Sequence, residues 1–172
     1  NWRNVESKIT GSPEPPLPYV AQRAYPQLSL AAPIFAINEP GSRRLLFIQQ
    51  GKVSVTGEDP GSGEFSALYE FPKGAIVYSI AFHPNYADNG YVYVGWNGKR
   101  EGDGEKYSVI TRLTLGQATQ SVDPNSALDI ISWASNGHNG AAPAFGLDGM
   151  LYVTSGDGTS DSDTNLTGQG MD

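Results

Sequence analysis

One short unit recurs along this chain: an apolar run, a turn carrying Pro or Gly, and then a further apolar strand. It is written as Phe35-Ala36-Ile37-Asn38-Glu39-Pro40, again as Ile80-Ala81-Phe82-His83-Pro84, and again as Pro143-Ala144-Phe145-Gly146-Leu147-Asp148-Gly149. Ile37 and Phe82 are 45 residues apart, and Phe82 and Phe145 are 63 apart. A chain that repeats such a unit must find a fold in which equivalent small sheets stack side by side.

Between the repeats lie short runs rich in β-branched and aromatic residues, bounded by turn clusters such as Glu39-Pro40-Gly41-Ser42 and Asp59-Pro60-Gly61-Ser62-Gly63. The pattern predicts strands over 34–38, 44–50, 52–56 and 67–71, then over 77–82, 91–96, 108–115 and 128–133. A third set opens with strands over 142–145 and 150–155. Four strands per unit at a spacing near 45 is the pattern of a β-propeller blade, the longer second unit being accounted for by a polar insert at 98–106. The expected fold is therefore all-β, with about two and a half blades near 33–72, 76–133 and 138–172. A sandwich of about eight strands is the structural rival. With 21 Gly and 12 Pro and only 17% charged residues, a helical bundle is excluded.

Residues 1–28 include Gly11-Ser12-Pro13-Glu14-Pro15-Pro16-Leu17-Pro18, whose prolines fix φ and remove amide donors. This stretch reads as a proline-rich linker or N-terminal extension, or as a tail lying on the domain surface. Because the chain starts at Asn1 and ends in turn-like residues, it is expected to be part of a larger protein. A net charge of -7 argues against nucleic acid as a partner. The absence of cysteine excludes disulfides, thiolate metal sites and a cysteine nucleophile, and no apolar run is long enough to span a membrane as a helix.

Chemistry falls to few residues. Of the two histidines, His83 precedes a proline at a strand end, where its ring is expected to satisfy a turn carbonyl. His138 lies in Ser135-Asn136-Gly137-His138-Asn139-Gly140, a loop of small residues that admits close approach of a ligand. An imidazole there suits proton transfer near neutral pH, although stabilising a turn would use the same residue. Downstream, Asp157, Asp161 and Asp163 alternate with Ser, Thr and Asn. They could supply hard oxygen ligands to calcium, but the EF-hand pattern is missing and Asx turns favour the same letters. Asn165-Leu166-Thr167 fits a glycosylation sequon, and neither G-x-S-x-G nor a phosphate-binding glycine loop occurs.

Two ordered motifs carry a family resemblance. Ala81-Phe82-His83-Pro84-Asn85-Tyr86 with Asn89-Gly90-Tyr91-Val92-Tyr93-Val94 forms the first. His138-Asn139-Gly140 followed by Phe145-Gly146-Leu147-Asp148-Gly149-Met150-Leu151-Tyr152-Val153 and Gly156-Asp157 forms the second. Over residues 33–165 the chain resembles the glucose/sorbosone dehydrogenase family, six-bladed propellers that commonly use pyrroloquinoline quinone (PQQ). The resemblance implies an oxidoreductase acting on the CH-OH group of a sugar or related alcohol, with His138 as general base and the quinone as electron sink. It further implies Asn139, Gly140 and Asp157 near the cofactor, calcium held by later blades, a cytochrome-type electron acceptor, and a periplasmic or extracellular location. The basic residues that hold the quinone carboxylates would lie beyond Asp172. Two departures, Gly74 where the glucose enzyme has a glutamine and Gly137 where it has an acid, count against glucose itself as substrate. Since the family also includes propellers without known catalysis, a non-catalytic propeller binding a carbohydrate or protein partner is the alternative.

Overall fold

The computed structural model describes residues 21–99, 104–116, 121–159, 163, 164, 166 and 168. The first sheet is a meander of β1 (Pro33–Asn38), β2 (Leu45–Gln49), β3 (Lys52–Thr56) and β4 (Phe65–Glu70), paired antiparallel in chain order. Leu46, Phe47 and Ile48 of β2 are all buried, so this strand is covered on both faces and reads as an unbroken apolar run instead of an alternating one. The β2–β3 hairpin turns through Gln50 (φ 50°) and Gly51 (φ 72°), the two positive φ values that match the twist of paired strands.

The second sheet comprises β5 (Ile76–Phe82), β6 (Tyr91–Lys99), β7 (Lys106–Gly116), the two-residue β8 (Ser121–Val122) and β9 (Leu128–Ala134). A single helical turn, α1 (Tyr86–Asn89), connects β5 to β6 and is closed by Gly90 at φ 66°. A Cβ on Gly90 would lie 2.4 Å from the Leu115 carbonyl oxygen, so both the backbone conformation and the space require glycine. The third sheet contains β10 (Gly140–Phe145) and β11 (Leu151–Ser155), again antiparallel.

Consecutive sheets meet through their first strands, β1 against β5 and β5 against β10. That is how propeller blades adjoin around an axis, and it differs from the two facing sheets of a sandwich. The main core lies between the first two blades, where Leu46, Ile48, Val53 and Val55 face Val77, Ile80, Val92, Val94, Trp96, Val109, Leu113 and Leu115. Gly95 of β6 sets the spacing to the third blade, since a Cβ there would fall 1.6 Å from the Ala141 carbonyl oxygen.

Several details depart from the sequence reading. The segment from Gly98 is not a loop at its start: the β6–β7 hairpin runs on through Gly98↔Tyr107 to Lys99↔Lys106. β4 starts at Phe65 and ends at Glu70, releasing Phe71 into the core. β8, too short to show as a periodic run, extends the outer edge of β7 beyond the end of β9. Residues 21–28 lie against the first blade, with Leu28 buried and Gln27 packed on Gly63. Residues 1–20, Asp161, and Asn165 and Thr167 of the sequon lie outside the described residues. No described helix is long and apolar enough to cross a membrane.

Antiparallel order sends successive connections to alternate ends of each blade. Residues 71–75, 135–139 and 156–159 emerge at one end, while 39–44, 83–90 and 146–150 emerge at the other.

Candidate active site

The loop at 135–139 joins β9 to β10 and lies beside the segment that leaves β11. Backbone hydrogen bonds zip the two together. The Asn136 and Gly137 amides both donate to the Gly158 carbonyl (2.9 and 3.2 Å), and the Gly158 amide donates to the His138 carbonyl at 3.4 Å. His138 is held at φ 25°, a conformation that non-glycine residues seldom adopt. Gly156 makes the contact possible, because a Cβ there would lie 1.6 Å from the His138 carbonyl oxygen. The room provided by Gly140 is also used by the chain itself: a Cβ would sit 2.7 Å from the Thr154 carbonyl oxygen and 2.8 Å from the Gly156 nitrogen.

The zipper brings His138 Nδ1 within 3.0 Å of Asp157 Oδ2. Asp157 Oδ1 accepts from the Thr159 amide and the Thr159 hydroxyl, each at 2.8 Å, forming the Asx turn anticipated for this segment. The Thr159 amide, then the His138 ring, then the Thr159 hydroxyl hold the Asp157 carboxyl down at about 2. Asp157 is therefore ionised at neutral pH and can only accept, so the proton of the shared hydrogen bond belongs to His138 Nδ1. Neutral His138 then presents Nε2 as an acceptor. Its side chain is 55% exposed whereas that of Asp157 is 17% exposed, which leaves the ring open to an incoming group and the carboxylate beneath it.

Asn139 is tied into the protein by three hydrogen bonds. Its Nδ2 donates to Tyr78 Oη (2.8 Å), its Oδ1 accepts from Ser135 Oγ (2.7 Å), and its carbonyl accepts from Ser108 Oγ (3.2 Å). Asn97 Nδ2 donates to the Ser135 carbonyl at 2.9 Å. Tyr78, Asn97, Ser108, Ser135 and Thr159 are thus site residues that the sequence reading did not single out. Asn97 and Ser108 lie directly opposite each other on β6 and β7, and both are buried.

Asp163 Oδ1 accepts from the Gly168 amide at 3.0 Å, and among the described residues no three His, Asp or Glu side chains converge as a metal site would require. Gly74, at φ 83° in the turn before β5, shares the end of the blades from which His138 emerges, with open space where a side chain would begin. His83 lies at the opposite end with a structural role. Its Nδ1 accepts from the Asn85 amide (3.0 Å) and meets Asn89 Nδ2 (2.9 Å), amid the rings of Tyr91, Tyr93 and Phe145. The ring therefore satisfies turn donors and not the turn carbonyl that was expected.

The Glucose / Sorbosone dehydrogenase family model matches residues 39–170. Mouse Hedgehog-interacting protein is 33% identical over 87 residues, which cover 46% of this chain and 12% of that protein. The PQQ-bound aldose sugar dehydrogenase of Streptomyces coelicolor superposes with a TM-score of 0.60 and 22% identity, over 76% of this chain and 40% of that one. The apo form of the soluble aldose sugar dehydrogenase of Escherichia coli superposes with a TM-score of 0.59 and 16% identity, over 77% of this chain and 39% of that one. The chain thus spans less than half the length of each of these relatives. With the family pattern running through nearly all of the described strands, the chain belongs to the glucose/sorbosone dehydrogenase family.

Proposed function

We propose that this chain supplies the proton-accepting part of a quinone-dependent dehydrogenase acting on a sugar or related alcohol, with His138 as the general base. The observation that carries the reading is the 3.0 Å hydrogen bond from His138 Nδ1 to a carboxylate that is itself locked by Thr159. Asp157 fixes the tautomer, so Nε2 is the atom that takes the substrate hydroxyl proton. Once protonated, the imidazolium lies beside a full negative charge and needs no rearrangement to be stabilised.

An imidazole oriented in this way, exposed on one side, fits a base that works beside PQQ. When bound, the quinone would accept the hydride from the substrate carbon while the hydroxyl proton goes to His138, leaving a carbonyl product. In this reading His138 faces the quinone and substrate, while Asn139, Gly140 and Asp157 act on His138 and not on the cofactor. Asp161, Asp163 and calcium take no step in it. A cytochrome-type acceptor and a periplasmic or extracellular location accompany the reading, supported by family membership alone.

A second reading is favoured by one observation: identity to mouse Hedgehog-interacting protein, at 33%, exceeds that to the two superposed sugar dehydrogenases. On this reading the same end of the blades binds a protein partner without turnover. Reconstitution of the full-length protein with PQQ and calcium, followed by dye reduction across a sugar and alcohol panel, separates the two. The enzyme reading expects quinone absorbance to change on binding and His138→Ala to lose about 10²- to 10⁴-fold in turnover. Absence of both quinone binding and dye reduction would overturn it, and partner binding that survives His138→Ala would establish the second reading.

A further inference from the structure

We propose that Tyr78 and Asn139 are positioning residues through which the second blade sets the orientation of the His138 imidazole. The inference rests on the reading of His138 as the base and adds to it a contribution from a different blade. His138 is gripped from two sides. Asp157 and Gly158, following β11 of the third blade, hold its ring and its carbonyl. The second blade holds the loop on either side of it: Asn97 on β6 binds the Ser135 carbonyl, Ser108 on β7 binds the Asn139 carbonyl, and Tyr78 on β5 binds the Asn139 side chain.

Within the loop, Ser135 Oγ donates to Asn139 Oδ1 at 2.7 Å, so the Asn139 carboxamide ties the two loop ends to each other and to Tyr78 at once. A histidine at φ 25° keeps that conformation only while its surroundings over-determine it. Loosening the grip of the second blade would let the backbone relax towards negative φ and swing the ring on Asp157. Tyr78 lies 61 residues before Asn139 in sequence, so only the packing of β10 on β5 brings its hydroxyl to the loop.

Tyr78→Phe tests the link with the least disturbance, because it removes one hydroxyl and keeps the ring. Asn139→Ala removes the whole tie. Asn139→Asp is the conservative control, since its carboxylate accepts from the Tyr78 and Ser135 hydroxyls. Each variant of the full-length protein is checked for folding by thermal melting, then read in two ways. The first is kcat and KM in the PQQ-reconstituted enzyme. The second, independent of turnover, is the ¹⁵N spectrum of the imidazole nitrogens, with His138 assigned by comparison with His138→Gln.

Losing this one hydrogen bond should lower kcat about five- to tenfold in Tyr78→Phe with KM little changed. The His138 nitrogen signals should move from a single Nδ1–H tautomer towards a mixture. The double variant Tyr78→Phe/Asn139→Ala should be no worse than Asn139→Ala alone, and Asn139→Asp should retain most of the wild-type spectrum. A folded Tyr78→Phe with wild-type His138 signals would overturn the proposal, as would an Asn139→Asp spectrum identical to that of Asn139→Ala. If the wild-type protein shows no turnover and the signals still respond to Tyr78→Phe, the dehydrogenase reading falls while the positioning role stands.

Discussion

Replacing Arg44 by Met cuts a joint between the first two blades whose energetics are visible in the structure. Glu39, just after β1, and Arg44, just before β2, are each only 4% exposed. Arg44 Nε and Nη2 engage both carboxylate oxygens of Glu39, while Ser42 Oγ and Tyr86 Oη donate to it at 2.6 Å each. Tyr86 comes from α1 of the second blade, so one carboxylate serves both blades. Burial alone would push Glu39 up. The hydrogen bonds from Arg44, Ser42 and Tyr86 together outweigh it and hold the carboxyl below its ordinary value.

Arg44→Met keeps the aliphatic bulk and leaves a buried carboxylate without its counter-charge, a change that typically costs about 3–5 kcal/mol. For a domain of this size that corresponds to a melting temperature roughly 6–20 °C lower. A lowered folded-state carboxyl contributes stability that is present above the ordinary carboxylate range and is lost as pH falls through the folded value. In the variant burial prevails, Glu39 takes up a proton more readily, and the deficit should be largest near pH 7 and shrink towards pH 4. Urea denaturation and thermal melting at both pH values measure it. A deficit below about 1 kcal/mol at pH 7, the level of an exposed ion pair, or one that does not change with pH, would refute the reasoning.

Other perturbations address the site and the joint to the third blade. Gly156→Ala places a Cβ 1.6 Å from the His138 carbonyl oxygen and must displace His138, the proposed base. Turnover in the reconstituted enzyme should fall about 100-fold with a smaller change in melting temperature. Gly95→Ala collides with the Ala141 carbonyl oxygen at 1.6 Å, so β10 must move off β6. Hydrogen exchange should accelerate in β10 and β11 well before it does in β2 and β3. Asp157, held at about 2, stays ionised down to roughly pH 3 and loses its pairing only as pH falls through that value. Because Asp157 does not change charge between pH 4 and 9, Asp157→Asn should lower turnover about 100-fold or more across that whole range.

Where strand and turn chemistry are both local, the sequence located the elements closely. β3 spans Lys52–Thr56 as expected, because Val53 and Val55 lie between a hairpin turn and a glycine and nothing distant is needed to set its ends. The β6–β7 hairpin was cut short in the sequence reading because Asn97, Gly98 and Lys99 look like loop residues. In the fold they stay in register with Ser108, Tyr107 and Lys106, since a hairpin already paired along its length continues at little further cost.

The site divides in the same way. His138 was legible as a candidate because a histidine flanked by glycines in a strand-to-strand loop is unusual by itself. The Asx turn from Asp157 to Thr159 was legible because it needs only two residues of spacing. The partnership of the two residues was not, because His138 and Asp157 are 19 positions apart and meet only through the antiparallel register that sets Gly140 opposite Ser155. Nor was the hydrogen bond from Asn139 to Tyr78, because the two are 61 positions apart and meet only through the packing of β10 against β5. The amino-acid sequence thus determined the repeating strands, the turns between them and the histidine proposed as base. Which groups hold that residue, and in which tautomer, was decided only when the second and third blades packed together, because hydrogen bonds between residues far apart in the chain depend on sheet register and inter-blade spacing that no local pattern records.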